Sequence, residues 1–415
     1  MPATTTKTSN NQPHILRQRV TNITMYKEFF RTILNQWRTI FHDEGVILIM
    51  IAAPIIYATI YSLTYGTQVL RDIPIAVIDN NHTHLSRSLI EKMDAGANIY
   101  VAYEPCDMEE AKRLFHNRQI YGIVYIPSDF ATRVLSNEQA TLSLYLDASY
   151  MLMYRQSFQE LAALISTQNA TIEYSNLLSK GINPPQAQAI TTPVRYNGHT
   201  LFNPYLGYGT FIMPPIIILI LQQTLLIGAG MIAATQHRHT TTSLRPLAIA
   251  LSILGKATAY TLIYAIIALY LINIHFKLFH YPCNGTTLDL AIFLGLYLFV
   301  CSLLAVAISS LFKHREASLM TLLWSSIPLL MLSGASYPRQ SIPKVWQLIA
   351  SCFPSTHGIN GFSKIQTAGA SISETWQEVS SLVVLGGIFF ITAYIGSIYS
   401  NKNSISSQSN NKLSI

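Results

Sequence analysis

Charge is scarce in this chain. Asp, Glu, Lys and Arg make up 11% of the residues and hydrophobic residues 50%, against about 25% charged in ordinary soluble domains. That balance excludes a highly charged soluble or disordered chain. Cysteine is also scarce, and four in 415 residues exclude a small disulfide-built scaffold. Cys301 falls inside an apolar run and reads as a small buried residue. Cys106, Cys283 and Cys352 fall outside such runs, either as one disulfide and a thiol or as three thiols. A phosphate-binding loop is missing altogether: Gly255-Lys256 has Ala250 where the first glycine belongs and Ala257 after the lysine. Without those amides the chain does not hydrolyse ATP by itself. The net charge of +7 sits beside apolar runs and forms no separate basic patch, so no nucleic-acid partner is expected. His237 and His239 flank Arg238, and His82 and His84 lie two apart, but neither pair has a Cys or carboxylate to complete a metal site. No metal is expected. No nucleophile-elbow or Ser-His-Asp arrangement is present either, so catalytic residues are absent and the chain is not read as an enzyme.

What it does have is long apolar runs, unevenly placed. One lies at 46–65; five more crowd together at 211–233, 248–274, 288–312, 319–332 and 381–399. A helix needs about 20 apolar residues to cross roughly 30 Å of hydrocarbon. The fold class is therefore an α-helical polytopic membrane protein of six transmembrane helices, with an α/β extracytoplasmic domain inserted between helices 1 and 2. The first run starts too late and is too long for a cleavable signal peptide. Arg17, Arg19, Lys27, Arg31 and Arg38 precede it; Arg238 and Arg245 follow the second run, Lys313 and Arg315 the fourth, Lys402 and Lys412 the sixth. Six crossings put all these flanks on one side, and the positive-inside rule makes both termini cytoplasmic.

The domains follow in order: a disordered cytoplasmic tail at 1–23; an amphipathic interfacial helix with the first span at 24–65; the extracytoplasmic α/β domain at 66–205; a five-helix bundle at 206–400; a second cytoplasmic tail at 401–415. In the helix at 24–42, Met25, Phe29, Ile33 and Trp37 recur every four residues, with Phe30, Leu34 and Phe41 beside them, a pattern suited to the membrane surface with Trp37 at headgroup level. Within 66–205, strands are predicted at 73–78, 99–103, 121–126 and 140–146. Helices are predicted around 85–93, from Asp107 to 115 with Glu110 completing a capping box, and from 149 to about 179.

Polar groups within the apolar runs are costly in hydrocarbon and single themselves out. Gln222, Gln223 and Thr224 lie in mid-run two, Ser325 and Ser326 in run five. They either bond neighbouring helices or line a pathway. Gly334, Pro338, Pro343 and Pro354 break up a stretch of moderate hydrophobicity at about 333–360. Irregular backbone at membrane depth must be buried in protein or face a wet cavity, so this is a re-entrant hairpin from the outer side, or else an ordinary outer loop.

Several segments in sequence carry a resemblance. Ile73-Pro-Ile-Ala-Val-Ile-Asp79 with Leu85-Ser-Arg-Ser-Leu-Ile90, and Tyr121-Gly-Ile-Val-Tyr-Ile-Pro127 with Asp129-Phe130, come first. Pro246 ahead of Gly255-Lys256 follows, then Leu332-Ser-Gly334 with Pro338, Ile342-Pro343, Trp346 and Phe353-Pro354. Their order and spacing resemble the permease subunits of ABC-2 type exporters across nearly the whole chain. The resemblance implies a bacterial inner-membrane location, an ABC ATPase subunit carrying ATP and Mg on a separate chain, and a second permease chain, as homodimer or heterodimer. It also implies that the ATPase docks on the helix at 24–42 and the loop at 235–246, which points to Arg31, Arg38, Gln236, His237, Arg238, His239 and Arg245. The glutamates usual in that loop are replaced by Gln236-His-Arg-His-Thr240, so the contact is remodelled or this is the divergent half of a heterodimer. Implied function is export of an amphipathic or hydrophobic substrate. A membrane receptor or scaffold that uses the outer domain without transport is the alternative, and a periplasmic adaptor protein is left open.

Overall fold

The computed structural model describes residues 12–194, 197–204, 206–236, 246–309, 311–312 and 314–413, with side chains between 27 and 399. Two compact units emerge: Val69–His199, and the remainder formed by Met1–Gln68 with Thr200–Ile415. Helix α1 (Gln12–His42) begins within the stretch whose composition suggested a disordered tail. Asp43 then takes an extended conformation and its carboxylate accepts the Val46 N–H at 3.2 Å, capping α2 (Glu44–Thr64). Helix α2 widens into a π turn at Leu48–Ala52, immediately ahead of Pro54. Proline has no N–H to close a regular turn, and its ring crowds the carbonyl four residues back.

The unit Val69–His199 alternates strands and helices. In chain order it holds β1 (Ile73–Asp79), α3 (His84–Asp94), β2 (Ile99–Tyr103), α4 (Met108–His116), β3 (Gly122–Ile126), α5 (Phe130–Leu135), β4 (Ser143–Leu146), α6 (Met151–Ser179) and α7 (Pro184–Thr191). The sheet order is β2-β1-β3-β4, with β4 antiparallel to β3 and the other pairs parallel. Central β1 is covered on both faces, as parallel sheets require. Ile75, Val77, Val124 and Ile126 pack with Leu89, Met93 and Leu161, whereas Ala76, Ile78 and Ile123 pack with Ala111 and Ile120. Asp79 ends β1 by accepting the N–H groups of Asn81 and His82 and the hydroxyl of Ser86. Asp107 caps α4 as predicted, accepting the Glu110 N–H at 2.7 Å. The reciprocal half of that box differs: the Glu110 carboxylate accepts from Cys106 N–H instead of from Asp107.

The rest of the helical unit comprises α8 (Tyr208–Gln236), α9 (Pro246–Leu278), α10 (Thr287–Ser309), α11 (Arg315–Leu332), α12 (Lys344–Ser351), α13 (Pro354–Gln366) and α14 (Trp376–Leu413). Among the described residues, five helices are long and apolar enough to cross a membrane: α2, α8, α9, α10 and the Trp376–Tyr399 part of α14. Helix α11, the expected fifth of six crossings, is not among them. It is 18 residues long, about 27 Å at 1.5 Å per residue. Arg315 and Glu316 in its first turn, with Ser325, Ser326 and Pro328 beyond, dilute its hydropathy.

Helix α8 is buried along nearly its whole length, packed against α2, α10, α11 and α13. Small residues permit this closeness. Side chains at Gly228 and Gly230 would overlap Met50 and Ser318, and Ser318 Oγ donates to the Ile227 carbonyl at 3.3 Å. At Gly358 in α13, the fully buried ring of Tyr297 occupies the space of a Cβ. Gly387 in α14, by contrast, has nothing within 4 Å of that position. Gly358→Val is therefore expected to destabilise the detergent-solubilised protein by about 1–3 kcal/mol through overpacking. Gly387→Ala should be neutral or stabilising. Thermal unfolding of both variants checks the contrast.

Candidate functional site

A polar layer crosses the interior of the helical unit at mid-height of α8. Thr224 Oγ1 donates to the Ile220 carbonyl at 2.7 Å and accepts from Tyr264 of α9 at 3.0 Å. Gln223 Nε2 donates to the Leu322 carbonyl and to Ser325 Oγ of α11, at 2.9 and 3.0 Å. Gln222 Oε1 faces the Tyr297 hydroxyl at 3.5 Å and Cys301 Sγ at 3.7 Å, both on α10. The layer is incompletely paired: Gln222 Nε2 and Gln223 Oε1 are buried without a partner, each at a cost that hydrocarbon makes larger. Gln222, Gln223 and Ser325 thus meet in one layer, and sequence spacing alone did not show that α9 and α10 complete it. Ser326 instead is half-buried and bonds its own helix at the Leu323 carbonyl.

The predicted hairpin residues are spread over several elements. Gly334 follows α11 with φ of +93°, a conformation glycine adopts without strain. Pro338 precedes a short 3-10 turn, Pro343 precedes α12, and Pro354 opens α13. Helix α13 is buried against α8 and α10, while α12 leaves Val345, Trp346 and Leu348 exposed. Cys106, Cys283 and Cys352 are exposed free thiols, and Cys301 is buried.

A second centre lies at the junction of α1, α2, α8 and α11. Helix α1 docks on α9: Gln36 Nε2 donates to the Tyr260 hydroxyl at 2.7 Å, and the Trp37 indole N–H donates to the Ala259 carbonyl at 3.0 Å. Trp37 is thus half-buried and bonded within the protein, while Phe30, Leu34 and Phe41 stay exposed. Arg31 and Arg38 are exposed on α1. At the α1–α2 junction the Asp43 carboxylate accepts from Arg315 Nη2 at 2.7 Å, and Gly45 packs against Arg315 and Met231. Sequence reading missed this ion pair, because its partners are separated by 272 positions. Of the loop expected to bind an ATPase, Gln236 ends α8, and His237, Arg238, His239 and Arg245 lie outside the described residues.

A model described as "ABC-2 family transporter protein" matches residues 45–395. The chain belongs to the ABC-2 transporter family. This permease is 22% identical over 384 residues to "Inner membrane transport permease YhhJ" of Escherichia coli strain K12, covering 89% of this chain and 96% of that protein. It is 21% identical over 379 residues to "Probable multidrug ABC transporter permease YbhR" of the same strain, covering 89% and 98%. The helices long enough to cross a membrane agree with a transmembrane transport permease.

The Asp43–Arg315 pair gives this permease a testable acid signature. The arginine hydrogen bond holds the Asp43 carboxyl below its ordinary value of 3.8. A depressed carboxylate contributes stability that is complete above the unfolded-state value and vanishes as pH falls through the folded one. Asp43→Asn keeps a capping side chain and removes the charge. The wild type is therefore expected to melt above Asp43→Asn at pH 7, and the gap to close below about pH 4. Melting curves from pH 7 to 3 check this.

Proposed function

We propose that this permease is the transmembrane subunit of an ATP-driven exporter in a bacterial inner membrane. Members of the family work with a separate ATPase subunit, and this chain has no phosphate loop of its own. The carrying observation is mechanical. Helix α1, the amphipathic element exposing Arg31 and Arg38, is tied to α9 through Gln36 and Trp37, and its end is tied to α11 through Asp43 and Arg315. Docking of an ATPase on α1 and on the 235–246 loop would pull α9 and α11 together with α2. Glycine contacts would transmit that pull to α8, whose Gln222 and Gln223 each carry a buried polar atom without a partner.

In this reading α11 is a sixth crossing, both termini are cytoplasmic, and residues 66–205 are extracytoplasmic. Two permease chains, alike or different, form the conduit, and ATP and Mg reside on the partner ATPase. Segment 333–360 caps the route as a hairpin entered from outside. An interior of mainly apolar side chains with one uncharged polar layer suits an amphipathic or hydrophobic cargo, and the name of one relative includes "multidrug".

Two experiments follow. The purified chain alone is expected to hydrolyse no ATP. Reconstituted with its ATPase, Arg315→Gln should retain hydrolysis yet lower transport of an amphipathic dye about tenfold, equivalent to roughly 1.4 kcal/mol of lost coupling; equal transport in both proteins refutes the mechanical link. Separately, a variant keeping Cys106 as its one cysteine should react with a membrane-impermeant maleimide added outside intact spheroplasts. Reaction solely after lysis inverts the proposed topology.

A further inference from the structure

A polar cavity of 630 Å³ lies where the 3-10 turn after Pro338, helix α13 and the first turns of α14 converge, lined by Arg339, Ser351, His357, Glu378, Val384 and Leu385 among others. None of its polar groups takes part in the layer around Gln222 or in the Asp43 junction. Glu378 is the unusual member. Its side chain is only 10% exposed, Oε1 accepts from Lys364 Nζ at 2.6 Å, and Oε2 is buried with no donor. A carboxylate oxygen left bare in such a place lacks an N–H or O–H. Across the cavity, one nitrogen of Arg339 donates to Ser351 Oγ at 2.7 Å. No carboxylate pairs with that guanidinium among the described residues. His357 Nε2 bonds the Ser351 carbonyl at 3.1 Å; among the charged groups of the lining, Arg339 and Glu378 Oε2 have bonding capacity to spare.

The surroundings say which kind of molecule brings both. Val384 is 61% exposed and Val383 57%, so the cavity opens along the apolar flank of α14. Trp376, exposed at the start of that helix, marks the headgroup level where aromatic side chains gather. The occupant therefore has an anionic group, an N–H donor beside it, and an apolar tail running down the helix. A phospholipid with a primary amine has all three. A choline phospholipid keeps the phosphate and tail but has no N–H to offer Glu378.

We propose that this cavity binds the headgroup of an aminophospholipid, its phosphate on Arg339, its ammonium donating to Glu378 Oε2, and its first acyl carbons along Val384 and Leu385. Arginine suits the phosphate because its planar fork meets two oxygens at once. The site stands apart from the exporter reading, which supplies only the leaflet, the outer one; neither cargo nor ATPase is required for it to be filled.

The test uses the full-length permease, delipidated in detergent and titrated with phosphatidylethanolamine or phosphatidylcholine of equal chain length under native mass spectrometry. Wild type should retain the ethanolamine lipid about tenfold better, the worth of one charge-assisted hydrogen bond. Glu378→Gln should abolish the preference, Arg339→Gln should weaken retention of both lipids, and Val384→Trp, a change at an exposed position, should block the site while the protein stays monodisperse. Equal retention of the two lipids by wild type overturns the proposal, as does an unchanged preference in Glu378→Gln or in Val384→Trp. Millimolar soluble phosphoethanolamine separates the two sources of the headgroup. Failure to displace the lipid supports a bilayer occupant, and full displacement assigns the site to a free zwitterion and overturns it.

Discussion

Backbones must come close if helices are to hold together in hydrocarbon, because lipid tails solvate a leucine as well as another leucine does. Association then rests on dispersion contacts, small residues and hydrogen bonds between helices. The helical unit is organised around this constraint. Helix α8 has no side chain at Gly228 and Gly230, where Met50 and Ser318 press in, and the ring of Tyr297 fills the corresponding gap at Gly358. Burial of α8 is a consequence: a helix apolar all round gains no orientation from hydropathy, so shape decides which neighbour meets which face.

Polar side chains then fix rotation about each axis. Gln223 reaches α11, Thr224 meets Tyr264 of α9, and Gln222 turns toward Tyr297 and Cys301 of α10. Three consecutive residues of one helix thereby address three different helices. Two amide atoms remain unpaired there, which leaves unspent hydrogen-bonding capacity in an apolar interior.

Local chemistry was legible in the sequence wherever its cause was local. The run Ile99 to Tyr103 is β2, Asp107 caps α4, and Pro127 stands just past the end of β3, because β-branched alternation, side-chain capping and proline act over a few residues. The long apolar runs became helices with ends shifted by a few residues, and hydropathy does not register where a turn of helix frays. Less was visible where pairing spans the chain. Asp43 with Arg315, 272 positions away, involves ordinary surface-type residues whose meaning arises only from contact. Run 319–332 became α11, in which Ser325, Ser326 and Pro328 dilute the hydropathy while Met320, Leu323, Trp324, Ile327 and Met331 stay exposed.

The π turns of α2 and α9 lead to one further consequence. Each adds a residue beyond the regular repeat, and an α-helix advances about 100° per residue, so everything past such a turn is rotated relative to what precedes it. Ser62 lies past the turn at Leu48–Ala52, and His275 closes the turn at Leu271–His275. Their 2.9 Å hydrogen bond therefore depends on the rotation that these turns impose on both helices. The register of one end of these helices is decoupled from the register of the other, as in a vernier, and a residue deleted near Ala52 would swing Ser62 out of reach of His275 while leaving the Asp43 end in place.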